Sequence, residues 1–141
     1  EEELRALAAD LGIRGRVTFH GRIPIDDVPA AVAAADIGLA PTRLDRFTAM
    51  TISGKIYEYG AMGKAVVASR LPLVDRTFPE GMVARYEPGD ADGMADAIVA
   101  LADLPIRRAE AVDGTLDVVR DAAWEREASR YARIVDGLAR P

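Results

Sequence analysis

Short apolar runs separated by helix-length segments constrain this chain more than any other feature. Ala65-Val66-Val67-Ala68-Ser69 carries no polar residue before its last position, and Asp36-Ile37-Gly38-Leu39-Ala40-Pro41 is a brief apolar run closed by proline. A strand with one face in water alternates apolar and polar residues, whereas a continuous run is expected where both faces are covered. Between these two runs Ser53-Gly54 leads into Lys55-Ile56-Tyr57-Glu58-Tyr59-Gly60-Ala61-Met62, a helix ended by Gly63. After a proline-studded connection (Pro72, Pro79), Met82-Val83-Ala84-Arg85-Tyr86 reads as a last strand. Strands alternating with helices across short loops mean a parallel sheet with crossover helices. The expected fold class is therefore α/β, a Rossmann-like parallel sheet with flanking helices.

The flanks read less cleanly. Glu2 to Leu11 has helical spacing and stops at Gly12, as at a C-cap. Arg16-Val17-Thr18-Phe19-His20 reads as a short strand ended by Gly21 and Pro24. Asp26-Asp27 put acid at the positive end of a helix over Val28 to Ala35, and residues 42–52 read as a loop. Pro88-Gly89-Asp90 sets up an N-cap for a helix from about Ala91 to Leu101. From Ile106 to Leu138 the pattern is helical, with breaks expected near Gly114 and Asp121, and with Trp124 and Tyr131 packed in the core. The chain opens on a helix, without the strand–loop–helix that usually starts such a sheet, which reads as a fragment.

Composition narrows the function classes. The 141 residues suit one domain, residues 1–141, large enough for a core without staples. There is no cysteine, which excludes disulfide scaffolds, thiolate zinc sites and cysteine nucleophiles. The single histidine and the scattered acids show no metal-ligand spacing, so no protein-bound metal is expected. A net charge of −5 argues against a phosphate-backbone reader, so no nucleic-acid partner is expected. No stretch approaches the roughly 20 apolar residues of a membrane span. A soluble cytoplasmic domain is the expectation.

Ligands of open α/β sheets bind where strands run into helices. Three such loops are visible: His20 to Pro24, Pro41 to Ser53, and Ser69 to Phe78. The middle one ends in Ser53-Gly54-Lys55 at a helix start, where free backbone N–H groups favour an anion. The plainer reading makes Ser53 an N-cap. Glu58 lies three residues after Lys55, so the two form either a surface pair or a site. In the second case the carboxylate would accept hydrogen bonds from two vicinal ribose hydroxyls. His20 ends a strand and reads as structural before catalytic.

The ordered segments Arg16-Val17-Thr18-Phe19-His20-Gly21-Arg22-Ile23-Pro24, Ala34 to Pro41, Gly54-Lys55-Ile56-Tyr57-Glu58-Tyr59-Gly60-Ala61-Met62-Gly63-Lys64 to Ser69, and Tyr86-Glu87-Pro88-Gly89-Asp90 carry a resemblance. The chain resembles the C-terminal, donor-binding half of a family-4 retaining glycosyltransferase of the GT-B fold, without that half's first strand–helix–strand. The resemblance implies that Thr51, Ile52, Ser53 and Gly54 offer donors to the diphosphate of a UDP-, GDP- or ADP-sugar. It implies that Glu58 binds the ribose, that Lys55 contacts phosphate or orients Glu58, and that Gly21, Arg22 and Ile23 pack the nucleobase. No further cofactor and no metal is implied, and no catalytic residue is named.

The family's first motif glutamate falls at Met50, with Asp45 off the required spacing unless the loop brings it near. The implied partner is an N-terminal acceptor-binding lobe, and the implied activity is hexose transfer in glycan, glycolipid or polysaccharide synthesis. That places the parent enzyme in the cytoplasm or at the inner face of the membrane. The alternative is a non-catalytic nucleotide-binding or interaction module of the same fold. A flavodoxin-like or receiver domain ranks lower, because no cluster of acids follows a first strand. The unpaired sheet edge of such a fragment invites pairing with a missing segment or a second copy, hence dimerisation.

Overall fold

A computed structural model of the chain describes residues 1–139, which form two compact units, Glu1–Ala30 and Ala31 onward. In the first unit, helix α1 (Glu2–Asp10) ends where Gly12 takes φ 67°. The Gly12 and Ile13 amides then bond back to Ala9 and Ala8 at 2.9 Å, as the sequence leads one to expect. A 3-10 turn follows at Arg14–Arg16. Residues 17–20 join no ladder, so the strand expected at Arg16–His20 is corrected to irregular chain. Val17 has extended dihedrals, but a strand forms only when a neighbour takes up its backbone groups, and none of the described residues does so. The Arg5 guanidinium lies 4.5 Å from the centre of the Phe19 ring. A second 3-10 turn (Ile25–Asp27) leads into helix α2 (Val28–Ala33), on which the chain passes from one unit to the next.

The second unit is built on a parallel sheet in the order β1 (Ile37–Ala40), β2 (Ala65–Ser69), β3 (Ala84–Tyr86). Ile37 pairs with Ala65 and Val67 with Ala84. β2 is buried at every residue, which is why its run is continuous. Its side chains serve two layers. Val66 and Ala68 meet Ile56 of helix α3 (Gly54–Ala61) and Leu71, Val74 and Phe78 on and around helix α4 (Pro72–Thr77). Ala65 and Val67 meet Leu101 of α5 (Ala91–Asp103) and Ala111 of α6 (Pro105–Asp121).

The β1–α3–β2–α4–β3 order is one half of a doubly wound sheet. α4 occupies what reads in sequence as an irregular connection, because Pro72 is tolerated in a first turn, where its missing N–H is one of the orphans anyway. Arg85, largely buried, donates to the carbonyls of Phe78 and Pro79 and pairs with Asp75 at 3.2 Å, holding the end of α4.

Two further expectations are corrected. No break occurs at Gly114, and α6 runs through it to Asp121. A Cβ there would lie 2.7 Å from Met82 Cγ, so the glycine marks a close approach. The second break does occur, after Asp121, before α7 (Trp124–Ala139). Trp124 and Tyr131 are not core residues. They lie 6.1 Å apart, centre to centre, on an exposed face of α7, which buries none of its residues.

Candidate functional site

The C-terminal edge of the sheet delivers three segments to one side, and the first of them leads into the start of α3. β1 ends at Ala40 and the chain loops to Ser53, whose carbonyl accepts the Ile56 amide at 3.0 Å. Ser53 makes no side-chain cap, so the plain N-cap reading is not realised. The Gly54 and Lys55 amides have no acceptor among the described residues, leaving the positive end of the helix open.

Side chains on a helix lean toward its N-terminus, and Glu58 follows that rule. Its Oε1 reaches within 3.8 Å of where a Cβ on Gly54 would sit, so the carboxylate lies back over the first turn. Lys55 and Glu58 form no ion pair, and both are exposed, so the surface-pair reading fails too. Ile52 packs into the core and can offer only its backbone, while Thr51 and Ser53 are half-buried.

α3 itself is seated by glycine. A Cβ on Gly60 would come within 2.6 Å of Thr115 Cγ2 and 2.9 Å of Val119 Cγ2, so α3 and α6 meet closer than any side chain allows. On the sheet side, a Cβ on Gly38 would sit 2.2 Å from the Tyr59 ring. These contacts fix where the helix end, and therefore Glu58, is held.

The other candidate residues are distributed as follows. The structure brings Thr51, Ile52, Ser53, Gly54, Lys55 and Glu58 together. Gly21, Arg22 and Ile23 belong to the first unit, in a turn where Gly21 has φ 64° and Arg22 is exposed. His20 is exposed in the same unit. Lys64 is structural, its Nζ donating to the Ala33 carbonyl at 2.7 Å.

Asp45, the acid nearest in sequence to Met50, is engaged within its own turn. Its Oδ1 accepts the Phe47 and Thr48 amides, each at 2.8 Å. Chiefly the Thr48 amide, then the Thr48 hydroxyl and the Phe47 amide, hold its carboxyl below the usual carboxylate range. The Thr48 hydroxyl closes the turn, accepting from the Asp45 amide at 2.8 Å and donating to the Arg43 carbonyl at 2.6 Å. Met50 stands exposed at the position of that glutamate.

Sequence reasoning missed one feature. A cavity of about 300 Å³ opens beyond the strand ends, lined by Thr42, Arg43, Ser69, Tyr86, Asp90 and Met94 among others. In it Ser69 Oγ accepts the Thr42 amide at 2.8 Å and donates to the Tyr86 hydroxyl at 3.1 Å. Ser69 and Tyr86 each close a strand and face each other in register, which is the signal that could have found them.

A family model described as Glycosyl transferases group 1 matches residues 1–103. The chain belongs to that family. Among its relatives is a phosphatidyl-myo-inositol mannosyltransferase of Mycobacterium leprae, 31% identical over 145 residues, covering 99% of this chain and 36% of that protein. Another is a GDP-mannose-dependent alpha-(1-6)-phosphatidylinositol monomannoside mannosyltransferase of Mycolicibacterium smegmatis, 32% identical over 142 residues, covering 96% of this chain and 37% of the relative.

Among solved structures, sucrose-phosphate synthase of Thermosynechococcus elongatus superposes with a TM-score of 0.78 at 21% identity, over 97% of this chain and 34% of that one. The α/β fold is thus that of a GT-B glycosyltransferase. The chain spans a little over a third of the length of these curated relatives. No helix among the described residues is long and apolar enough to cross a membrane.

Proposed function

We propose that this chain is the donor-binding portion of a retaining glycosyltransferase, and that the start of α3 holds the diphosphate of a nucleotide-sugar. The observation that carries the reading is the joint geometry of the open Gly54 and Lys55 amides and the Glu58 carboxylate laid back over them. An anion is favoured at the amides, while a carboxylate one turn in repels phosphate and suits hydroxyl donors. A nucleoside diphosphate supplies both, phosphate oxygens for the amides and ribose hydroxyls for Glu58. The same amides and the helix dipole would stabilise charge gathering on the leaving diphosphate, with Lys55 at hand as a cation.

Two named relatives are mannosyltransferases, one of them GDP-mannose-dependent, which supports GDP-mannose as the first donor to test. Gly21, Arg22 and Ile23 are proposed for the base, and residues 1–141 are proposed to work with an acceptor-binding lobe. The test is a calorimetric titration with GDP, UDP and ADP. Binding by the wild type that weakens by about 1–3 kcal/mol in Glu58→Ala is expected, as for a lost charged hydrogen-bond partner. Equal binding by the variant would refute the role of Glu58.

Met50 and the self-engaged Asp45 favour a second reading, a nucleotide-binding module without transfer activity. Transferase assay of this chain joined to an acceptor-binding lobe separates the two.

A further inference from the structure

Ser69 and Tyr86 bring two hydroxyls to the C-terminal ends of adjacent strands, and the proposed donor contacts use neither. Ser69 is 2% exposed and Tyr86 7%, with the tyrosine packed into the core. Burying a hydroxyl costs free energy unless it is hydrogen-bonded. Alanine and phenylalanine would fill the same space with no polar atom to satisfy, so the two oxygens act through what they bond.

What they bond is the loop that leads to α3. The Ser69 hydroxyl gives its proton to the Tyr86 oxygen at 3.1 Å, which leaves a Ser69 lone pair for the Thr42 amide at 2.8 Å. Among the described residues, this is the one hydrogen bond that ties residues 42–52 to another element. From Thr42 the loop carries its own bonds forward. The Thr48 hydroxyl donates to the Arg43 carbonyl at 2.6 Å, and the Thr51 amide donates to the Thr48 carbonyl at 3.3 Å. Its 3-10 turn, Thr48–Met50, lies beside α4, and Ile52 packs into the core next to Ser53. The loop is thus one braced piece, tied to the sheet by a hydrogen bond at its start and by packing at its far end.

We infer that Ser69 and Tyr86 are positioning residues for the α3 site, acting through Thr42 and the braced loop on Thr51, Ser53 and Gly54. Ser69 fixes where the loop leaves the sheet, and Tyr86 fixes the rotamer in which Ser69 does so. A loop already set in its bound shape loses less freedom when a ligand arrives, and that difference appears as affinity. The inference rests on the reading of α3 as the diphosphate site.

The experiment compares the wild type with Ser69→Ala, Ser69→Thr and Tyr86→Phe by three measurements. These are amide hydrogen exchange of the free chain, titration with GDP, UDP and ADP, and urea unfolding. In Ser69→Ala the Phe47, Thr48 and Thr51 amides should exchange faster, while the Gly93 amide at the α5 cap keeps its wild-type rate. Nucleotide affinity should fall about fivefold or more, the size of one hydrogen bond's contribution. Tyr86→Phe keeps the ring and removes one oxygen, and it should give the same pattern at smaller size. Ser69→Thr restores the hydroxyl and should recover both readouts.

A pair that only satisfied buried polar groups would lower stability in urea and leave loop exchange and affinity alone. That result in Ser69→Ala and Tyr86→Phe overturns the inference, as does a loss of affinity that Ser69→Thr does not recover. If the wild type binds none of the three nucleotides, the donor reading falls by itself. Faster loop exchange in Ser69→Ala would then still uphold the anchor, and unchanged exchange would overturn it.

Discussion

Two helices of the second unit begin beside the same sheet edge and end their exposed amides differently. At α5, Asp90 caps its own helix, Oδ1 accepting the Gly93 amide at 2.9 Å, and the turn is closed by a side chain the protein supplies. At α3, Ser53 leaves the amides open, Gly54 presents no side chain over them, and Glu58 reaches back from the next turn. A capped end gains stability and offers nothing to a ligand; an uncapped one forgoes that stability and keeps its donors free. A missing side-chain cap alone marks nothing in this fold, since α1, α4 and α6 lack one too; what sets α3 apart is Glu58 laid back over its open first turn.

The sharpest break of that contrast comes from unseating α3. Gly60→Val would drive its side chain into Thr115 and Val119, and a loss of about 3 kcal/mol in urea unfolding is expected, at the upper end for an overpacked core. Nucleotide binding should fall with it, because the α3 end moves while the α5 cap stays whole. Next in size is Glu58→Ala, expected to cost about 1–3 kcal/mol of nucleotide affinity with little change in stability. If it destabilised the fold and left affinity unchanged, α3 would be an ordinary helix end.

Asp90→Ala should show the mirror image. The expected loss is about 1 kcal/mol of stability with unaltered nucleotide affinity, read from the same two assays. The smallest effect is a titration. Asp45 has its carboxyl lowered in the folded state by Thr48 and Phe47, so its contribution is present above the unfolded value and is lost as pH falls through the folded one. The Phe47 and Thr48 amide resonances should shift together in that acid window, and Asp45→Asn should remove the shift. Amides that stayed fixed through acid would mean the turn is held by other contacts.

Much of the chain was legible residue by residue. The limits of β2, the αL glycines Gly12 and Gly63, and the Asp90 cap depend on groups a few positions away, and they stand where the sequence places them. The α3 segment of the site was legible for the same reason, since the helix start, Glu58 and their spacing are local. What the sequence could not reveal was whether Ser53 would cap, because a hydroxyl has rotamers that do and do not reach the backbone.

The remainder was decided by tertiary contact. Residues 17–20 have strand composition, yet strand formation needs a neighbour for the hydrogen bonds, and composition does not say whether one is there. Gly114 looks like a break until Met82 is seen against it, and Pro72 looks like loop until it opens α4. Trp124 and Tyr131 have the spacing of a buried stripe, but periodicity shows only which face is apolar, not whether anything covers it. Local chemistry thus set the elements and their ends. Which of those elements pair, cross closely or stand open was settled only by neighbours far apart in the chain, since burial is a property of the assembled whole.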